Sequence, residues 1–190
     1  MGKGFKFVET IIIKKNLTYI LYSLIAVVFS FLIHEFTHWT MGEALGYKMA
    51  MTLNIAYPLS GSFAEEWQYT LVSAVGPLIT LLQTIVVYFL IRTTSNKNLY
   101  PLLFSSFYLE LLSGIMNFRH ANDLGRISTT FGLGLFTIPL IFVLIHFFFL
   151  YKTSTREKYT VKFNGLTLLW ILLFSSIWIL TNQQYHVRII

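Results

Sequence analysis

The chain has 190 residues, of which 55% are hydrophobic and 12% charged, and its mean hydropathy is +0.65. So little charge cannot cover the surface of a water-soluble domain of this length, which makes a lipid bilayer the expected surrounding. The lack of cysteine excludes disulfides, thiolate metal ligands and a cysteine nucleophile, and the net charge of +6 lies in short basic runs between apolar blocks, a membrane-topology pattern and not a nucleic-acid surface.

Lys3, Lys6, Lys14 and Lys15 precede a first apolar run that begins near Leu17. This resembles a secretory signal, but no small-x-small cleavage site follows. The run also ends in His34-Glu35-Phe36-Thr37-His38, which cleavage would discard, so it is expected to be a retained span. A spanning helix needs about 20 mainly apolar residues. Segments 17–38, 68–91, 99–118, 131–151 and 164–182 meet that need, with Trp39, Trp67, Tyr69, Tyr100 and Tyr151 near their ends as interfacial rings. Between the first two, Met49, Met51, Leu53, Ile55 and Tyr57 alternate with smaller or polar residues. That period of two predicts a short strand, and Pro58-Leu59-Ser60-Gly61 reads as a turn. The expected fold is an all-α polytopic membrane protein: about five transmembrane helices, with a short membrane-associated β-strand or hairpin after the first. Residues 1–190 form a single domain.

Orientation follows from the cations. With the N-terminus inside, ten Lys and Arg residues fall on the cytoplasmic side and four (Lys48, Arg119, Arg126 and Arg188) on the other. The expected localisation is therefore multi-pass in a cell membrane, N-terminus cytoplasmic. The same topology brings the end of the first span and the polar cluster His120-Ala121-Asn122-Asp123 to one side.

His34 and His38 stand four apart, so on a helix they share a face and can reach one metal. Glu35 is offset by one position, beside the metal and not on it, where it can act as general base toward water. Zinc suits such a site, whose catalytic form has three protein ligands and one open position. The third ligand is expected to be Asp123, with His120 as its rival three residues away; Asp123 would equally serve as a helix cap. His146 lies in an apolar block, His186 in the tail, and Glu110 is a carboxylate within the third span. Polar residues otherwise gather toward one end of the spans. Gly76 and Pro77 suit either a functional bend or ordinary helix packing.

At this point the chain resembles the site-2 protease family of intramembrane zinc metalloproteases. Three stretches carry the likeness, covering roughly residues 17–130: His34-Glu35-Phe36-Thr37-His38 with Gly42 to Lys48, Ala74-Val75-Gly76-Pro77-Leu78-Ile79-Thr80, and Gly114 to Asn117 continuing into Asn122-Asp123-Leu124-Gly125-Arg126. The resemblance implies a catalytic core over that range, Asp123 as the third zinc ligand, and additional helices at 131–151 and 164–182. The chain departs from the family at Thr80, where asparagine is usual, in a loop 118–121 without prolines, and in the residue that separates Asp123 from Gly125.

The function expected is that of a zinc metalloendopeptidase acting on a transmembrane protein substrate. A helical substrate hides its peptide bonds and must be unwound, and the predicted strand offers an edge for the unwound segment. Asn54, Asn117 and Asn122 are candidate amide partners for that backbone, their plain alternative being local turns. The alternatives are a catalytically inactive zinc-containing scaffold or regulator and, less favoured, an ion transporter. Glu65-Glu66 begins another membrane-protease pattern, but Thr70 stands where arginine belongs. The residues do not set substrate identity or oligomeric state.

Overall fold

The computed structural model describes residues 2–190, with side chains from residue 16 onward. Lys3, Lys6, Lys14 and Lys15, counted in the orientation argument, lie outside the residues whose side chains are described. Helix α1 (Gly2–Ala44) has no glycine or proline between Gly4 and Gly42 to interrupt it, and it stops where Gly46 takes a φ of +88°. Strands β1 (Met49–Met51) and β2 (Ala56–Pro58) follow, then α2 (Glu66–Thr94), α3 (Tyr100–Met116), α4 (Asp123–Thr130), α5 (Thr137–Arg156) and α6 (Val161–Tyr185).

Five helices among the described residues are long and apolar enough to cross a membrane: Asn16–Ala44 within α1, α2, α3 with the single turn before it, α5 and α6. Four of the five expected segments coincide with these to within a few residues. The fourth begins later, at Thr137 and not 131, because Gly132 and Gly134 adopt φ of +69° and +79° and break the chain there. The short helix α4 had no counterpart in the expectation: its eight residues carry too few apolar positions to register as a span.

Of the strand or hairpin expected after the first span, the structure has the hairpin, with its turn inside the 49–57 stretch. β1 and β2 pair antiparallel with Ala50 opposite Tyr57, and the chain reverses at residues 52–55, not at Pro58, which lies within β2. Thr52 closes the reversal, its N–H and Oγ1 both donating to the Ile55 carbonyl, at 2.9 and 3.1 Å. β1 is buried throughout. Its free edge is taken by the C-terminal tail, where Ile189 N–H donates to the Met51 carbonyl at 2.8 Å and Met51 N–H to the Ile190 carbonyl at 3.1 Å.

Two ends of the bundle differ in character. Val27 and Phe31 of α1, Val87 and Ile91 of α2, Leu103 and Phe104 of α3, with partners on α5 and α6, make an apolar core away from the hairpin. The hairpin, the start of α2, the end of α3, α4 and the end of α6 occupy the opposite end. Outward faces carry large apolar residues such as Leu82, Phe89, Leu144 and Leu169. Buried polar side chains occur in all five long helices, so the expected gathering of polar residues at one end does not hold. Ser106, Thr153 and Thr167 are examples. Each donates to the carbonyl four residues earlier in its own helix, which satisfies the hydroxyl without opening a path.

Candidate metal centre

His34 and His38 are buried on the face of α1 that packs on α2. The helices run antiparallel, so the four-residue step of the histidines meets a four-residue step on α2: Thr80, Gly76, Val72. His34 Nδ1 lies 2.9 Å from Thr80 Oγ1, and His38 Nδ1 lies 2.5 Å from the Val72 carbonyl oxygen. A carbonyl only accepts, so His38 Nδ1 carries the proton. Thr80 already donates its hydroxyl proton to the Gly76 carbonyl at 2.9 Å, so it accepts from His34 Nδ1. In each neutral ring the lone pair is therefore on Nε2. Gly76, between the two partners, leaves the room: a Cβ there would lie 2.2 Å from His38 Nε2 and 2.7 Å from His34 Nε2.

Asp123 arrives from the first residue of α4. The turn before it is set by Asn117, whose Oδ1 accepts the Asn122 N–H at 2.7 Å while its Nδ2 donates to the Ser113 and Gly114 carbonyls, both at 3.2 Å. Gly125 is needed for that packing, since a Cβ would come within 2.0 Å of Asn117 Oδ1. Asp123 Oδ2 then stands 3.5 Å from His34 Nε2 and 3.4 Å from His38 Nε2. Burial alone would raise this carboxyl's pKa, but when the facing imidazoles are protonated their charge and hydrogen bonds outweigh burial and hold it well below the usual carboxylate range.

Three candidate ligand atoms thus face one another, all within 4.8 Å. Stripped of protons such a set repels itself, so it is balanced either by protons on Nε2, as His–Asp ion pairs, or by a cation held among the three atoms. Tetrahedral bonds of about 2.0–2.1 Å put neighbouring ligand atoms about 3.3 Å apart, close to the spacing here. The donor set fits a divalent metal of zinc's kind.

No family model, characterised protein or solved structure matches the chain.

The remaining expected residues divide. Glu35 is buried beside the pair and lines a cavity of about 560 Å³ together with Asn54, Asn122 and Asp123. Ala56 and its neighbours in β2 line the same cavity as Glu35. His120, the rival third ligand, is exposed on the cavity wall and is not in the converging group. Asn117 does not line the cavity: its whole amide is used within its own turn. Asn122 lines it while its Nδ2 donates to Ser113 Oγ at 3.0 Å. Asn54 lines it with its Oδ1 accepting from Asn182 Nδ2. His146 is buried on α5 with Nδ1 on the Phe142 carbonyl at 2.8 Å, and His186 caps α6. Glu110 is 1% exposed and neither of its oxygens has a hydrogen-bond partner among the described residues. Glu65 opens α2, its N–H donating to Gln68 Oε1 at 3.2 Å, a capping role and no part of a second catalytic motif.

Two contributors went unread in the sequence. In the sequence Thr80 stands only as a departure from the resembled family, yet it holds His34; the signal is its four-residue step from Gly76. Arg126, three residues after Asp123 and so on the same face of α4, donates to Asp123 Oδ1 at 2.6 Å.

Proposed function

We propose that this chain is a multi-pass membrane protein acting as an intramembrane zinc metalloendopeptidase, which hydrolyses peptide bonds of membrane-embedded protein substrates. The observation that carries the reading is the convergence of His34 Nε2, His38 Nε2 and Asp123 Oδ2, with both Nδ1 protons already committed to α2. His34, His38 and Asp123 would hold zinc. When bound, zinc supplies Lewis acidity, making water a better proton donor near neutral pH and polarising a carbonyl.

The chain's own groups do the rest. Glu35 takes a proton from water at the cavity floor and delivers it to the departing amine nitrogen. β2 supports the handling of an unwound substrate. Its Ile55, Tyr57 and Leu59 positions bond toward β1, and Pro58 has no N–H, so the outer edge offers the Ala56 and Pro58 carbonyls. A substrate strand would donate its N–H groups there. Asn54 and Asn122 line the same cavity and remain the candidates for amide contact, whereas Asn117 acts through the turn it braces.

The test is Glu35→Gln in purified protein, with single-span reporter helices in proteoliposomes as substrates. Cleavage is expected to fall by at least a hundredfold while one zinc per chain is retained. Cleavage persisting in the variant refutes the role of Glu35. A wild-type chain that binds zinc yet cuts none of the reporters favours the non-catalytic scaffold.

A further inference from the structure

Asp123 has two oxygens, and only Oδ2 faces the histidines. Oδ1 is engaged elsewhere, accepting Arg126 Nη2–H at 2.6 Å. A carboxylate left free at both oxygens can swing from one-oxygen to two-oxygen coordination, and the second oxygen would then take up space around the metal that a water or substrate carbonyl needs. What decides between the two modes is whether Oδ1 is held.

Arg126 is itself held on every side. Its Nε–H donates to Ser73 Oγ of α2 at 3.3 Å, and Nη1–H to the Ala121 carbonyl in the turn before α4, also at 3.3 Å. The guanidinium lies over the Tyr69 ring at 4.7 Å from its centroid, a stacked cation–π contact. The planar fork therefore links α2, the turn and α4 to one carboxylate oxygen. This arrangement needs a guanidinium, because an ammonium cannot send fixed donors to three acceptors in one plane. The side chain is 28% exposed and lines the cavity, so it is not simply a buried structural cation.

We propose that Arg126 is the positioning residue that keeps Asp123 a one-oxygen ligand, and so preserves the open coordination position of the centre. The inference rests on the metal reading above. It assigns Arg126 no contact with substrate; it acts through Oδ1 of Asp123.

Cobalt substitution reads coordination directly, since four-coordinate Co²⁺ absorbs visible light several times more strongly than five- or six-coordinate Co²⁺. The experiment titrates Co²⁺ and Zn²⁺ into the full-length wild type, Arg126→Gln and Arg126→Lys in detergent, with chelator competition for affinity. The expected result is an intense visible band for wild type, a weaker and shifted band for Arg126→Gln, and zinc affinity lower by about 10–100-fold. Arg126→Lys, which keeps the charge and loses the fork, is expected to recover part of the affinity but not the wild-type band. Tyr69→Phe keeps an aromatic face under the guanidinium and is expected to match wild type. Should Arg126→Gln fail to fold, the Lys variant decides alone. A Lys or Gln variant with unaltered spectrum and affinity, beside a wild type that binds, overturns this inference and leaves the metal centre standing. A wild type that takes up neither ion overturns both.

Discussion

A methyl group at residue 76 would sit 2.2 Å from His38 Nε2, inside any permissible contact, and 2.7 Å from His34 Nε2. Gly76→Ala is therefore expected to abolish metal retention, measured as bound zinc per purified chain, although alanine is the better helix former by about 1 kcal/mol. Helix content should stay at the wild-type level, which separates closure of the centre from misfolding. Thr80→Val makes the complementary test. It keeps the volume but removes the acceptor for His34 Nδ1–H, so zinc affinity should fall by about 10–100-fold in chelator competition. An unchanged affinity would mean that His34 does not depend on α2 for its tautomer. The sequence carried the histidine pair through its four-residue spacing, and Asp123 through the alternation of spans that brings it to the same side and through the family resemblance. It did not carry the partners of the two Nδ1 atoms, since one is a backbone carbonyl that any residue at position 72 would supply.

The hairpin lines the cavity beside the candidate centre, and it is held from a distance. Asn182 of α6 donates from Nδ2 to Thr52 Oγ1 at 3.2 Å and to Asn54 Oδ1, and accepts the Leu53 N–H at 3.4 Å. Trp178 Nε1–H donates to the Leu53 carbonyl at 2.8 Å. The turn at 52–55 thus has its polar groups met by a helix more than a hundred residues away in sequence. This is why the alternation over 49–57 read as one strand: period two was correct locally, and nothing nearby announces the reversal. Asn182→Leu should leave α1 and α2 intact and loosen the turn. Amide hydrogen exchange over 49–58 is expected to quicken about tenfold, the equivalent of one lost buried hydrogen bond. The start of α5 was misjudged for a related reason, because Phe131, Leu133 and Phe136 look like span residues until the two glycines between them take left-handed backbone.

Across the molecule, successive long helices alternate in direction, which gathers the hairpin, α4 and the tail at one end. The other end holds the turns at 95–99 and 157–160 and is joined by Arg156 Nη2–H donating to the Arg92 carbonyl at 2.8 Å. The alternation itself was legible, since each apolar block is long enough to register and the basic residues mark the turns. Under the membrane reading, the two ends face different compartments. The chain has no cysteine, so single replacements label cleanly. Ser95→Cys and Lys158→Cys should react with an impermeant maleimide from one side, and Ser62→Cys and Thr130→Cys from the other. All four reacting from one side would break the proposed topology.

The pairing of the tail with β1 gives the order of the chain a structural meaning. Met51 bonds to Ile189 and Ile190, so β1, which backs the cavity-lining β2, completes its hydrogen bonds with residues more than a hundred positions further along the chain. The histidines and the aspartate thus precede in the chain the residues that complete the bonding of the hairpin beside them.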